Sequence, residues 1–184
     1  MKWDTNTCVA CFGKAFTGKT YFEKAHIKAM PRKRQIYIYD FTNEYTEFKQ
    51  NNVHVWAVKR GTQEEIEDFI GFVYAKGNCT VVLSECDNYL AMNSPVLLAF
   101  TTTARNRGIN FIVDAKRAKA VKPSYRTRFN RLILFQCTLV DDIEYLEDWV
   151  GQGKGCLSML RNLTQGQYIE VNLDTDEISD VKRL

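Results

Sequence analysis

Eight residues constrain this chain more than any others. Gly13-Lys14-Ala15-Phe16-Thr17-Gly18-Lys19-Thr20 fit the spacing G-x-x-x-x-G-K-[ST] without a mismatch. They follow an apolar run, 7–12 (TCVACF), that reads as a buried strand, and they open 18–29, which reads as a helix. Glycines let such a loop curl until successive backbone N–H groups face one point, and the helix N-terminus adds its partial positive charge there. A phosphate group is what that geometry attracts. Chance is a weak rival, since a match is expected in about one sequence of this length in two hundred. Lys19 then reaches the β- and γ-phosphates, and the Thr20 hydroxyl coordinates Mg²⁺. The candidate ATP contacts are Gly13, Lys14, Ala15, Phe16, Thr17, Gly18, Lys19, Thr20 and Tyr21, with the Lys14 side chain read as solvated.

The rest of the chain alternates strands with helices. Strands are expected at 35–40 (QIYIYD), 53–57 (VHVWA), 79–84 (CTVVLS), 109–114 (INFIVD) and 131–136 (RLILFQ). Helices are expected at 62–75, with Thr62 as N-cap, at 94–106, with Ser94 as cap and Pro95 at the first position, and at 140–149. The tail 167–181 alternates around Asp174–Asp176 like a hairpin. Near-continuous apolar strands between helices argue for an α/β fold, a mainly parallel central sheet flanked by helices on both faces. At 184 residues one core is expected, over about 7–150, with a C-terminal extension over about 151–184 that carries the β-hairpin.

Composition excludes some classes. Apolar residues make up 45% and charged residues 26%, which is ordinary for a globular domain, and no stretch approaches a transmembrane segment. Asp4 falls where a secretory leader needs an apolar run, so the chain reads as intracellular. Cys8-Val-Ala-Cys11 has redox or zinc spacing. With no second such pair and only His26 and His54 as imidazoles, packing in a strand is the better reading.

Hydrolysis of a nucleotide needs a second acid. Thr80-Val81-Val82-Leu83 leads into Ser84-Glu85-Cys86-Asp87. Glu85 stands where a glutamate would polarise the attacking water, though a solvated strand-end acid is the bland alternative. Ser84 occupies the position where an aspartate would hold the Mg²⁺ shell; it can bond a metal-bound water but brings no charge. Asp87, and Asp40 at the end of 35–40, are further candidates for the outer shell of the metal.

Four segments together resemble the FtsK–HerA superfamily of ring ATPases, particularly the small genome-packaging ATPases of tailless, membrane-containing viruses. They are the loop 13–20, Asp40-Phe-Thr-Asn-Glu44-Tyr45, the strand ending at Glu85, and Arg105-Asn-Arg107-Gly108-Ile109 leading to Lys116-Arg117. Ser84 for an aspartate and Lys116 for a sensor glutamine depart from that pattern. The resemblance implies a RecA-like P-loop NTPase core and a homo-oligomeric ring, commonly a hexamer, with nucleotide between subunits. Arg105 or Arg107 would then act on a neighbour's γ-phosphate, unless they are solvated or pair with the acids of 140–148. It further implies DNA as partner, virion vertex or membrane proteins as docking partners, and residence in the host cytoplasm and the virion.

Net charge is only +3, but 116–131 (KRAKAVKPSYRTRFNR) contains no acid. Arg117, Lys119, Lys122, Arg126 and Arg128 are candidate nucleic-acid contacts, with Tyr125 and Phe129 interleaved as base-stacking platforms. A solvated basic loop, or one that serves a neighbouring subunit's nucleotide, is the alternative. Pro31-Arg32-Lys33-Arg34 reads as a solvated turn. The leading function is an ATP-driven DNA translocase, a viral packaging motor. A P-loop kinase for a small acceptor and a nucleotide-switched assembly protein are the other readings.

Overall fold

The glycine-lysine loop joins strand β1 (Val9–Phe12) to helix α1 (Lys19–Ala29) in the computed structural model, which describes residues 7–89 and 94–184. Asp4 lies outside the described residues. There follow β2 (Gln35–Asp40), β3 (Val53–Ala57), α2 (Gln63–Lys76), β4 (Cys79–Leu83), α3 (Pro95–Thr103) and β5 (Asn110–Ala115). The chain continues through a short α4 (Pro123–Arg126), β6 (Arg131–Leu134), α5 (Val140–Val150), β7 (Gln167–Asn172), β8 (Glu177–Ile178) and β9 (Lys182–Arg183).

These elements stand within a few residues of the sequence expectation, for local reasons. Thr62 accepts the Glu65 N–H at 3.3 Å and Ser94 accepts the Leu97 N–H at 3.1 Å, with Pro95 opening α3. The helix expected over 94–106 stops at Thr103 and tightens through Ala104–Arg107, where Gly108 takes a left-handed conformation (φ +65°) that turns the chain into β5. The hairpin of the tail is β7 and β8, and the chain returns once more as β9 against β7.

The strands lie in the order β3-β2-β4-β5-β1-β6-β7-β8, parallel from β3 to β6 and antiparallel from there. β5 is inserted between β1 and β4. Burial is complete along β1, β4 and β5, so successive side chains enter two separate apolar layers. Val9, Cys11, Ile36, Ile38, Val82 and Ile112 meet α1 on one face, while Phe12, Tyr39, Leu83 and Val113 meet the other helices. Cys8 and Cys11 belong to different layers, and burial pushes both thiols up from their ordinary range, which argues for packing and against a thiolate pair.

Candidate active site

A parallel sheet gathers its strand C-termini at one edge, and the loop 13–18 rises from that edge. Gly13 (φ +151°) is pinned there, because a Cβ would come 2.6 Å from Phe135 Cβ. Gly18 (φ +115°) has a backbone conformation that disfavours a side chain, with the movable end of Leu184 beside it. The loop is held from outside by backbone bonds: Lys14 N–H donates to Gln136 O at 3.0 Å and Gly166 N–H to Thr17 O at 2.9 Å. Thr17 is buried and ties its hydroxyl to Lys14 O at 2.8 Å. Lys19, only 6% exposed, lies across the loop and donates to Gly13 O at 2.8 Å and Lys14 O at 3.2 Å.

The N-terminus of α1 differs from that of every long helix around it. Gly18 offers no side-chain cap, and Lys19, Thr20 and Tyr21 bring no acid to the first turn. Its orphan N–H groups and positive end therefore face outward for an external anion. The fit to a triphosphate is direct: a loop whose first glycine has no room for a Cβ and whose second has a positive φ, an uncapped helix end and a buried lysine beside it. Thr20 would hold Mg²⁺ at the same turn. Phe16 (φ +63°, 91% exposed), Ala15 and the Lys14 side chain stand out in solvent, as does Tyr21.

Beneath this turn lies a set of buried acids. Glu23 is fully buried one turn below Lys19 and accepts a short hydrogen bond from Tyr45 OH through Oε2, while its Oε1 finds no partner among the described residues. Burial, and then Asp114, hold Glu23 well above the usual carboxylate range. Asp114, at the end of β5, is 2% exposed and accepts the Glu85 N–H at 2.8 Å; burial pushes it up to about 7. Neither acid was singled out in the sequence, although the Lys19–Glu23 spacing of four sets Glu23 on the same helix face as Lys19.

Glu85, the expected second acid, is engaged with a lysine. Glu85 adopts a left-handed conformation (φ +51°), unusual for a non-glycine residue, and its carboxylate pairs with Lys116 Nζ at 2.8 Å. The same bond raises the Lys116 pKa. Ser84 Oγ donates to Tyr39 O at 3.0 Å and accepts the Phe41 N–H at 2.9 Å, so it stitches β2 to β4. Asp40 is spent in the same way: its oxygens take the Glu44 and Tyr45 N–H groups at 3.1 and 3.0 Å, which sets Tyr45 against Glu23. Asp87 is half-buried, and burial raises its pKa.

Arg105 and Arg107 precede β5 and therefore sit at the opposite edge of the sheet from the loop. Arg107 donates to Tyr74 O and Ala75 O and lies over the Tyr74 ring, closing the end of α2. The basic segment also departs from the sequence reading. Tyr125 and Phe129 are 2% and 5% exposed and pack in the core, Phe129 between Phe111 and Trp149, so they are not stacking platforms for bases. Arg117 pairs with Asp142 at 2.7 Å and Lys119 with Asp141 at 3.0 Å, while the Arg126 guanidinium lies 3.6 Å over the Tyr145 ring. Lys122 and Arg128 are half-buried. Arg34, read as part of a solvated turn, is instead a staple that donates to Thr80 Oγ1, Asn78 Oδ1, Cys79 O and Gly108 O. Its signal was the strand directly after it.

No model of a known protein family matches this sequence, and no curated protein matches it. Solved structures do share its fold. The genome-packaging NTPase B204 of Sulfolobus turreted icosahedral virus 2, in complex with ATPγS, superposes with a TM-score of 0.84 at 15% identity, covering 99% of this chain and 100% of that one. B204 of Sulfolobus turreted icosahedral virus, described as its DNA-packaging ATPase, gives 0.83 at 17% identity over 97% and 98%. EssC (ATPases 2 and 3) from Geobacillus thermodenitrificans gives 0.64 at 14% identity over 94% of this chain and 39% of that one. The fold is that of a RecA-like P-loop ATPase, with a mainly parallel sheet between helices. Activity does not follow from fold alone. Among the described residues no helix is long and apolar enough to cross a membrane.

Proposed function

We propose that this chain is an ATP-hydrolysing motor that moves DNA, working as the packaging ATPase of a virus. The observation that carries the reading is the α1 N-terminus, uncapped, acid-free and flanked by Lys19 in a loop of the right spacing. The full-length likeness of fold to two genome-packaging ATPases supports the packaging role.

On binding ATP, Lys19 exchanges the Gly13 and Lys14 carbonyls for the β- and γ-phosphates, and the loop amides hold the β-phosphate. Thr20 would hold Mg²⁺, which when bound offsets the charge on the phosphate oxygens. Glu85 orients the attacking water, and for that it must leave Lys116. Arg105 or Arg107, at the far edge of the sheet, is suited to a neighbour's nucleotide in a ring and not to its own. Arg117 and Lys119 would exchange Asp142 and Asp141 for DNA phosphates, with Lys122, Arg126 and Arg128 alongside.

The Lys116–Glu85 ion pair and the neutral Ser84 favour one second reading, a nucleotide-switched assembly protein with weak hydrolysis. A small-molecule kinase has less support, because the segment it needs as a lid is packed on α5. The test is the ATPase rate with and without double- and single-stranded DNA at low and moderate salt. Stimulation that fades with salt is expected of the motor; phosphorylation of a small acceptor with no DNA effect would sink it. Glu85→Gln should keep ATP binding and stop turnover, and unchanged turnover would remove Glu85 from its role.

A further inference from the structure

The position that should carry a metal-shell carboxylate on β4 is Ser84, and its hydroxyl is engaged with β2. The strand order shows where a carboxylate comes from instead. β5 pairs with β4 in the register Val82↔Ile112 and Leu83↔Val113, so the next step sets Ser84 beside Asp114. On its other side β5 pairs with β1, and there Asp114 is the partner of Cys11, two residues before the loop begins. Asp114 thus stands between the strand that feeds the phosphate loop and the strand that ends at Ser84, on the face that α1 covers. Its Oδ1 holds the Glu85 N–H at 2.8 Å, which couples it to the residue that orients water.

Of the other acids at this edge, Asp40 uses both oxygens on backbone N–H groups and Glu85 is paired with Lys116, whereas the Glu85 N–H engages only Oδ1 of Asp114. Asp87 keeps a buried Oδ1 without a partner among the described residues, but it lies in the turn beyond β4 and outside the strand register. Glu23 Oε1, fully buried below Lys19, lacks a partner among the described residues. Glu23 and Asp114 are thus buried beneath the loop while the Lys19 ammonium is bonded to the Gly13 and Lys14 carbonyls, which leaves carboxyl oxygens here that a metal-bound water could satisfy.

We propose that Asp114 supplies, from the neighbouring strand, the carboxylate that position 84 lacks, and would hold a water of the shell of the Mg²⁺ that Thr20 binds. This rests on the Mg·ATP reading of the loop. A carboxylate accepts several hydrogen bonds at once, so the bond to Glu85 N–H and one to a metal-bound water are compatible.

The test is ATPγS affinity in EDTA and across a Mg²⁺ titration, with Mn²⁺ binding to the nucleotide complex followed by electron paramagnetic resonance. Asp114→Asn should lose at least tenfold of the Mg²⁺-dependent gain, read for each protein as its affinity with Mg²⁺ over its own affinity in EDTA. Moving the carboxylate back, in the double variant Ser84→Asp with Asp114→Ser, should restore that gain and the Mn²⁺ signal. Full Mg²⁺ enhancement in Asp114→Asn overturns the assignment while leaving the nucleotide site intact. If Asp114→Asn does not fold, the relocated variant decides: no restored gain overturns it. Wild-type protein that binds no ATPγS would sink the nucleotide reading and this inference with it.

Discussion

Two helices begin at the same edge of the sheet, and their first turns are built in opposite ways. At α2, Thr62 caps the helix and the Glu65 carboxylate takes the Lys59, Arg60 and Gly61 N–H groups at 2.8, 2.8 and 2.9 Å. Those bonds, the Lys59 N–H first, hold the Glu65 carboxyl below its usual range. At α1 nothing seals the turn, and the acids beneath it, Glu23 and Asp114, are held above their usual range by burial. The same backbone device is satisfied internally in one place and left open in the other. A helix end that exists only to fold has its anion built in; one that binds phosphate forgoes stability to keep the place open.

The comparison breaks most sharply at Lys19. Lys19→Ala should lower ATPγS affinity at least hundredfold in calorimetry and abolish turnover, while Thr62→Ala leaves nucleotide affinity unchanged; equal binding by Lys19→Ala would remove the loop from the site. The next effect is one of pH. With a folded pKa of about 7 against an ordinary 3.8, Asp114 favours the folded state while protonated. That contribution is complete below about pH 4 and is lost as pH rises through 7. Asp114→Asn cannot ionise, so the nucleotide-free variant should unfold at higher temperature than wild type at pH 8. The gap should narrow by on the order of 2 kcal/mol toward pH 5. Of the charges that face Asp114, Lys19 acts to lower its pKa and Glu85 and Asp87 to raise it.

At α2 the signs reverse. Glu65→Ala leaves three N–H groups of the 59–61 turn without their acceptor and should cost about 1–3 kcal/mol in urea unfolding. The smallest effect expected is Thr62→Ala, about 1 kcal/mol. If either variant weakened ATPγS binding as much as it weakened folding, the two helix ends would not be independent.

Much of this was legible from residue types alone. Apolar runs of four to six residues marked the strands, and Thr62, Ser94-Pro95 and the glycine loop marked the helix starts, because each of those signals is local. What escaped was non-local. Asp114 acquires its place from β5 lying between β1 and β4, and Tyr125 and Phe129 acquire theirs from Phe111 and Trp149. Charged segments misled for the same reason: 116–131 contains no acid, yet Asp141 and Asp142 of α5 answer two of its cations.

The bonds that clamp the phosphate loop have a consequence for the order in which the molecule is made. Lys14 is tied to Gln136, Thr17 to Gly166, and Gly18 is flanked by Leu184. A loop written near the start of the chain is therefore shaped by residues synthesised more than a hundred positions later. Such contacts close late in folding, after the entropy of a long intervening segment has been overcome. Nucleotide binding then reports a finished molecule: a partly made chain would carry the whole loop sequence and still lack the walls that give it its curve.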